Sequence, residues 1–371
     1  MTDVAHSFPM LVGHPPEGVW QAPGRVNLIG EHTDYCGGFA ITFAIDRRTT
    51  VAAGRRGDRC LSVRSTAIPD PDAEVIDLDA LEPGVGSSWA LYPFGVIWAL
   101  RSEGVDVGGL DLVIDSTVPM GGGLSSSASL EAAVAVAVTE LADVRLGLLG
   151  LATICHRAES DYAGAPTGLL DPLAVLGATE GHGMLIDFRS LEVEQVPLPV
   201  GPLGVVDTGV RHDNTDGAYA QRRRACEDAA STMGVPQLRD ANEALVGRCL
   251  SGVAARRARH VITENERVLE TARRLATGGD IGVLLDASHV SLRNDFEVSC
   301  PELDTAVTAA RAAGARGARM TGAGFGGSCI AVGADADGID AMVTRAFASH
   351  GYRTRPTTFA VTPSLGAGRL S

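Results

Sequence analysis

Between residues 24 and 64 the chain alternates apolar stretches with turn signals, and RVNLIG, GGFAITFAI, TTVAAG and CLSVRS each read as a strand. The pattern then breaks. DPDAEVIDLDALEPGVGSS is acidic and carries Pro and Gly, which marks a surface excursion. WALYPFGVIWALRSEG spaces its large residues at the helical period and stops at a glycine. GLDLVIDSTV returns to β-type alternation and runs straight into PMGGGLSSSASLEAAVAVAV, residues 119–138. The local order is therefore strand, Gly-rich turn, buried helix.

Further on, the pattern predicts a helix over residues 148–162 and strand in GHGMLIDFRSLEVEQVPL. Residues 219–275 are rich in Ala, Arg and Glu, as in helices with one polar face. GARGARMTGAGFGGSCIAVG places a second Gly-rich turn between strands. Strands and helices mix without a strict βαβ rhythm, which predicts an α+β fold. A length of 371 residues exceeds one ordinary core, and composition suggests two domains, 1–180 and 181–371.

Local stability does not recommend GGGLSSSAS: Gly loses backbone entropy on folding, and Ser is a poor residue inside a helix. Two accounts remain. One is a glycine turn with serine caps on a buried helix. The other is an anion site, where backbone N–H groups approach a phosphate and the helix terminus adds about half a positive charge. In that account serine hydroxyls add hydrogen bonds or a metal ligand.

Charge narrows the choice of partners. Lys and Arg total 31 against 45 Asp and Glu, a net charge of −14, which argues against a general nucleic-acid or anionic-membrane binder. All the basic residues are arginine. With no lysine, the chain has no P-loop ending in Gly-Lys-Ser/Thr, no protein-kinase strand lysine and no Schiff-base lysine. The seven cysteines are scattered and never spaced C-x-x-C, a usage that fits reduced thiols in a cytoplasm. No secretory leader is expected at MTDVAHSFPMLVG, and AAVAVAV is too short to span a bilayer.

Other stretches carry candidate chemistry. RVNLIGEHTDY crowds Glu31, His32 and Asp34 just after an apolar strand, which suits a ligand with several hydroxyls or, equally, a solvated and paired loop. In APTGLLDPLAV, Asp171 is either a helix cap with Pro172 in the first turn or a carboxylate base. Glu159 in HRAESDYAG reads first as a helix-surface charge, TGAGFGG as a bulge or tight turn, and RRR at residues 222–224 as a solvated face.

Together these stretches resemble the GHMP kinases, and within them the galactokinase family. The resemblance rests on GRVNLIGEHTDY, PMGGGLSSSASLE and ARMTGAGFGGSCIAV, with ICHRAESDYAGAPTGLLD, GAYAQRRRACE and SHVSLRNDFEVSCPELD in the same order between them. It implies a two-domain α+β GHMP kinase fold, with a ribosomal protein S5 domain 2-like N-terminal domain, a ferredoxin-like α/β C-terminal domain and the active site in the cleft. It implies ATP and Mg²⁺ as co-substrates and phosphorylation of the anomeric hydroxyl of galactose; with the charge and cysteine usage above, the expectation is a cytoplasmic protein without nucleic-acid or membrane partners, taken as a monomer with its oligomeric state open. By position, Asp171 would be the catalytic carboxylate and Arg25 its neighbour. Ser127 and Glu159 would hold Mg²⁺, and Gly121, Gly122, Gly123, Leu124, Ser125 and Ser126 would wrap the phosphates. Glu31, His32, Asp34, Gly168 and Tyr219 would bind the sugar, and Trp89 and Tyr92 would border the adenine.

Two positions depart from the family pattern, Cys36 where Asn is usual and Pro172 where Gln is usual. Pro172 bears on the chemistry, since a proline disfavours helical dihedrals at the residue before it, Asp171. Within the same resemblance, a kinase for N-acetylgalactosamine or arabinose and a sugar sensor without turnover are the competing readings. The presence of Arg25, Glu159, Asp171 and the serine loop favours catalysis.

Overall fold

The apolar stretches of the N-terminal region assemble into one long antiparallel pair. β1 (Gly18–Ile29) runs beside β2 (Phe39–Arg55), a single strand of 17 residues that joins GGFAITFAI and TTVAAG without a break. The polar Asp46, Arg47 and Arg48 between them lie mid-strand, where Asp46 is simply exposed. The computed structural model describes residues 4–67, 73–165, 167–198, 201–211 and 217–371.

β3 (Cys60–Ser65), β4 (Glu74–Asp77), β5 (Leu110–Ser116), β6 (His182–Asp187), β7 (Glu192–Pro197) and the short β12 (Gly368–Arg369) complete an eight-stranded sheet in the order β12-β1-β2-β5-β3-β4. β6 shares the far edge of β2 with β5 and carries β7 outward. Within the acidic excursion, β4 is thus an edge strand, and residues 68–72 lie outside the described residues. Helices Leu91–Ser102, Ser126–Leu141, Leu148–Arg157 and Leu170–Gly177 pack near this sheet; Val134, Ala137, Ile97 and Leu100 meet Trp20, Val51 and Leu112 in one buried cluster.

The second sheet is antiparallel throughout. β8 (Leu203–Asp207), β9 (Gly317–Thr321), β10 (Ser328–Val332) and β11 (Thr357–Val361) lie in the order β11-β8-β10-β9. Ala218–Met233, Gly252–Ala276, Pro301–Ala312 and Ala336–His350 contribute to its core. The chain passes from one sheet to the other between Pro197 and Leu203.

The two sheets do not stand apart. Val26, Leu28, Ile29 and Phe43 of the first share a buried cluster with Val205, Ile330 and Val332 of the second. Burial of this size, at about 25 cal/mol per Å² of apolar surface, ties the domains into one body. Register shifts in β1 between Pro23 and Arg25, and between Asn27 and Ile29, break its regular pairing with β2. Such irregularities re-aim side chains at sheet rims. Here they accompany Arg25, the first residue of the candidate site.

Candidate active site

Arg25 is 7% exposed and holds two regions together. Its Nε donates to Asp171 Oδ1 at 2.7 Å and its Nη2 lies 2.6 Å from the same oxygen, while Nη1 donates to the Gly123 carbonyl at 2.6 Å. The Ser125 hydroxyl donates to the other Asp171 oxygen. Asp171 is not the helix cap. The helix begins at Leu170 with Leu169 as its N-cap, so Asp171 lies inside the first turn despite the proline that follows. Pro172 is tolerated there because first-turn N–H groups need no intrahelical partner. The side chain is thereby free to meet Arg25 and Ser125.

The loop from Gly121 to the helix at Ser126 is built by backbone. Gly121 and Gly123 have φ of +69° and +75°, and Ser125 takes φ 56°, ψ 51° as N-cap with no side-chain capping bond. Its hydroxyl serves Asp171 instead. The carbonyls point inward: Gly122 accepts from Ser328 Oγ at 2.6 Å, Gly123 from Arg25, and Leu124 from the Arg25 N–H at 3.2 Å. Among the described residues no hydrogen bond is donated by the backbone N–H of Gly121, Gly122, Gly123, Leu124 or Ser125. Carbonyls in and amides free is the polarity that an anion requires. Ser126 lies partly exposed at the helix start.

The second Gly-rich turn backs this loop. A Cβ on Gly322 would lie 3.5 Å from the Gly123 carbonyl oxygen, and one on Gly327 would lie 3.6 Å from that of Gly122. The turn is therefore more than a bulge between strands. Arg211 flanks the other side, bidentate to Asp207 at 2.7 Å, and a Cβ on Gly121 would lie 3.1 Å from its Cδ.

Ser127 Oγ donates to Glu159 Oε1 at 2.7 Å. Glu159 is not a surface charge: it is 5% exposed, in the π-type turn Ala158–Tyr162 that ends its helix. Burial raises its pKa, the Ser127 hydrogen bond opposes this, and the charge of Asp171 adds to the rise. A carboxylate enclosed near another carboxylate favours a cation. Among the described residues no group of three or more His, Cys, Asp and Glu could hold a metal ion. One hydroxyl and one carboxylate nonetheless fit Mg²⁺, which keeps water and substrate oxygens for most of its positions.

The expected sugar residues divide into two sets. Asp34, Gly168 and Tyr219 come together near Asp171. A Cβ on Gly168 would lie 2.9 Å from Asp34 Oδ2, so glycine leaves room for that carboxylate. Burial raises the Asp34 pKa to about 6, with the Tyr35 backbone N–H opposing and Asp171 adding to the rise. Burial also raises the Tyr219 phenol, reinforced by Asp34 and Asp171. Glu31 and His32 turn inward. Glu31 pairs with Arg319 and accepts from the Gly322 N–H at 3.0 Å. His32 Nε2 meets the Ala323 carbonyl at 3.0 Å and Nδ1 meets the Tyr35 hydroxyl at 2.8 Å. Since a carbonyl only accepts, the proton sits on Nε2 and Tyr35 donates to Nδ1. Burial, with His260 nearby, lowers the His32 pKa to about 3, so the ring is neutral.

Trp89 lies in the turn before Leu91–Ser102, partly buried against the first core. Tyr92 is half-buried on that helix, its phenol raised by burial and then by Glu159 and Glu131, which sets it on the Glu159 side of the site. Arg211 and Arg319 were not anticipated. For Arg319 a signal existed, since it interrupts an otherwise apolar strand; for Arg211 there was none.

Comparison with known proteins follows the same lines. Residues 6–55 match the galactokinase galactose-binding signature, 92–178 the GHMP kinases N-terminal domain and 268–352 the GHMP kinases C-terminal model. The chain is 45% identical to a galactokinase of Streptomyces coelicolor over 99% of its own length and 98% of that protein. It is 46% identical to a galactokinase of Mycobacterium tuberculosis over 89% of this chain and 93% of that one. Among solved structures, Lactococcus lactis galactokinase complexed with galactose superposes with a TM-score of 0.93 at 31% identity, covering 99% of both chains. Methanococcus jannaschii mevalonate kinase, at 17% identity and TM-score 0.69 over 94% of this chain and 98% of that one, shares the fold.

Proposed function

Because the chain belongs to the galactokinase family of GHMP kinases, we propose that it transfers the γ-phosphoryl group of ATP to the anomeric hydroxyl of α-D-galactose, giving galactose 1-phosphate and ADP. The observation that carries this reading is the sharing of Arg25 between Asp171 and the Gly123 carbonyl of the anion loop. One guanidinium would thus tie Asp171, which would face the acceptor, to the loop that would receive the donor's phosphates.

Asp34, Gly168 and Tyr219 would seat the sugar, and Asp171 would accept a hydrogen bond from its anomeric hydroxyl. Phosphoryl transfer is mostly positioning and charge stabilisation. Asp171 already accepts from Arg25 and Ser125, so both its oxygens are engaged before a sugar arrives. It would orient the hydroxyl and take its proton late, once most of the bond to phosphorus has formed. A large solvent isotope effect with strong dependence on acceptor acidity would contradict that timing. The free amides of the loop would receive the phosphates. Ser127 and Glu159 would hold Mg²⁺, which supplies the charge compensation that phosphoryl transfer needs. Trp89 and Tyr92 would border the adenine.

All seven cysteines stand as free thiols, which supports a reducing, cytoplasmic setting. No helix among the described residues is long and apolar enough to cross a membrane. We read the protein as a monomer, which size-exclusion chromatography with light scattering would check.

ADP release with Mg·ATP tests the function, comparing galactose with N-acetylgalactosamine, glucose, arabinose and no sugar. Galactose-dependent release that is lost in Asp171→Ala is the expected result. Release with another sugar and not with galactose would replace the acceptor. Galactose binding without ADP would make the protein a sensor.

A further inference from the structure

Arg319 is a wholly buried cation that touches none of the residues assigned to phosphoryl transfer. It lies in β9, where every residue is buried, and it is 0% exposed. Its Nε donates to Ser288 Oγ at 3.1 Å and its Nη1 to the Leu28 carbonyl at 3.2 Å, and Nη2 pairs with Glu31. A second buried acid stands behind it. Glu264, on the helix Gly252–Ala276, is 3.8 Å from the guanidinium and accepts from the Gly30 N–H at 3.1 Å, from Ser288 Oγ at 2.5 Å and from Arg267 Nε at 2.7 Å. Burial pushes the Glu264 pKa up, but Arg267 and Arg319 pull it down further, to about 2.

Taking such charges out of water costs several kcal/mol per ion, and apolar replacements of buried ion pairs are often no less stable. Stability alone is a weak reason for this network. Its geometry supplies another. Every contact of Arg319 with the first sheet falls at the end of β1 or on Glu31, the residues that lead into His32 and Asp34. The turn after β9 continues the grip, through the Gly322 N–H on Glu31 and the Ala323 carbonyl on His32. The same turn packs on the anion loop through Gly322 and Gly327, and Ser328 bonds Gly122. Strand β9 and its turn are a common reference for both loops.

Resting on the kinase reading above, we propose that Arg319 is a positioning residue for the sugar acceptor. From behind the pocket it fixes the Glu31–His32–Asp34 loop so that Asp34 and Asp171 meet the same sugar, and it contacts neither substrate.

The test measures galactose and ATP KM, kcat, direct galactose Kd and Tm for the full chain, Arg319→Lys and Ser288→Ala. Lysine keeps the charge but loses the fork. In Arg319→Lys, galactose KM and Kd are expected to rise about tenfold while ATP KM and kcat stay within about threefold. In Ser288→Ala, which removes the acceptor of Arg319 Nε and the Ser288 donor to Glu264 but keeps the guanidinium, galactose KM is expected to rise about threefold with ATP KM unchanged. Galactose KM unchanged in a folded Arg319→Lys overturns the proposal. So does a parallel loss of galactose and ATP affinity that tracks Tm, the mark of a merely structural role. If Arg319→Lys fails to fold, Ser288→Ala decides by the same criteria. The wild-type arm separates this inference from the kinase reading: binding of galactose without turnover rejects the kinase but leaves the Kd comparison intact, whereas no binding and no turnover overturns both.

Discussion

The two loops that meet at Arg25 and Asp171 are built on opposite plans. The anion loop at Gly121 to Ser125 works through backbone: positive φ values turn its carbonyls into the protein and leave its amides free, and Gly121 and Gly123 are exposed. The loop at Glu31 to Asp34, the sugar loop of the proposed function, works through side chains. Glu31 and His32 are buried and their polar atoms are taken up by Arg319, Gly322, Tyr35 and Ala323. A phosphate is recognised by charge and a cradle of N–H groups, which local chain geometry can supply. A sugar is distinguished by the direction of its hydroxyls, which demands side chains held in place from elsewhere.

The largest effect should come where the plans converge. Asp171→Ala is expected to lower kcat about 10³-fold while galactose Kd changes little, read by ADP release and calorimetry. Equal loss of binding and turnover would mean that Asp171 belongs to the sugar loop's plan rather than to the chemistry. Next in size, Gly168→Ala puts a methyl group 2.9 Å from Asp34 Oδ2. Galactose KM should rise about tenfold with ATP KM unchanged, a difference of about 1.4 kcal/mol confined to one loop.

Arg211→Gln probes the other loop. With no lysine in the chain, this partly exposed guanidinium beside Gly121 is expected to favour the nucleotide's charge, so ATP KM should rise about fivefold and galactose KM stay constant. An unchanged ATP KM would leave anion binding to the amides and the Mg²⁺ pair alone.

The smallest effect concerns pH and sharpens the sugar side. Burial raises Asp34 from 3.8 to about 6 in the folded protein. The ionised form accepts hydrogen bonds from sugar hydroxyls, so galactose KM should fall as pH rises towards about 6 and level off above it. A raised carboxyl pKa also means that its contribution to stability is full below about 3.8 and is lost as pH rises through about 6. Asp34→Asn should therefore remove the pH dependence of galactose KM and raise Tm at pH 7 but not at pH 3. A pH-independent galactose KM in the wild type would place Asp34 outside the sugar contacts.

The contrast between the loops also explains what could be read from sequence. GGGLSSSAS after an alternating strand and before an apolar run announces its structure, because glycine permits positive φ wherever it stands and a helix terminus always lacks partners. Element types along most of the chain were legible for the same reason, since the 2.0 and 3.6 periodicities are local. GGFAITFAI and TTVAAG read as two strands because polar residues in the middle of a long strand resemble a break. Asp171 resembled a cap because Asp before Pro at a helix start usually is one, and its actual partners lie 146 and 46 positions away. Glu159 resembled a surface charge because nothing within its own helix shows the π-turn that faces it inward.

By itself, then, the sequence determined the order of the motifs, the strand–turn–helix that frees the loop amides, and the lysine-free site that must draw positive charge from arginine, backbone and metal. Only the tertiary structure decided which carboxylates gather near Asp171 and which turn inward. Asp34 stays near Asp171, whereas Glu31, three residues earlier, is claimed by an arginine 288 positions away. Backbone dihedrals are set by a residue and its neighbours, but a buried charge is settled by whichever opposite charge the packing of two sheets brings within reach.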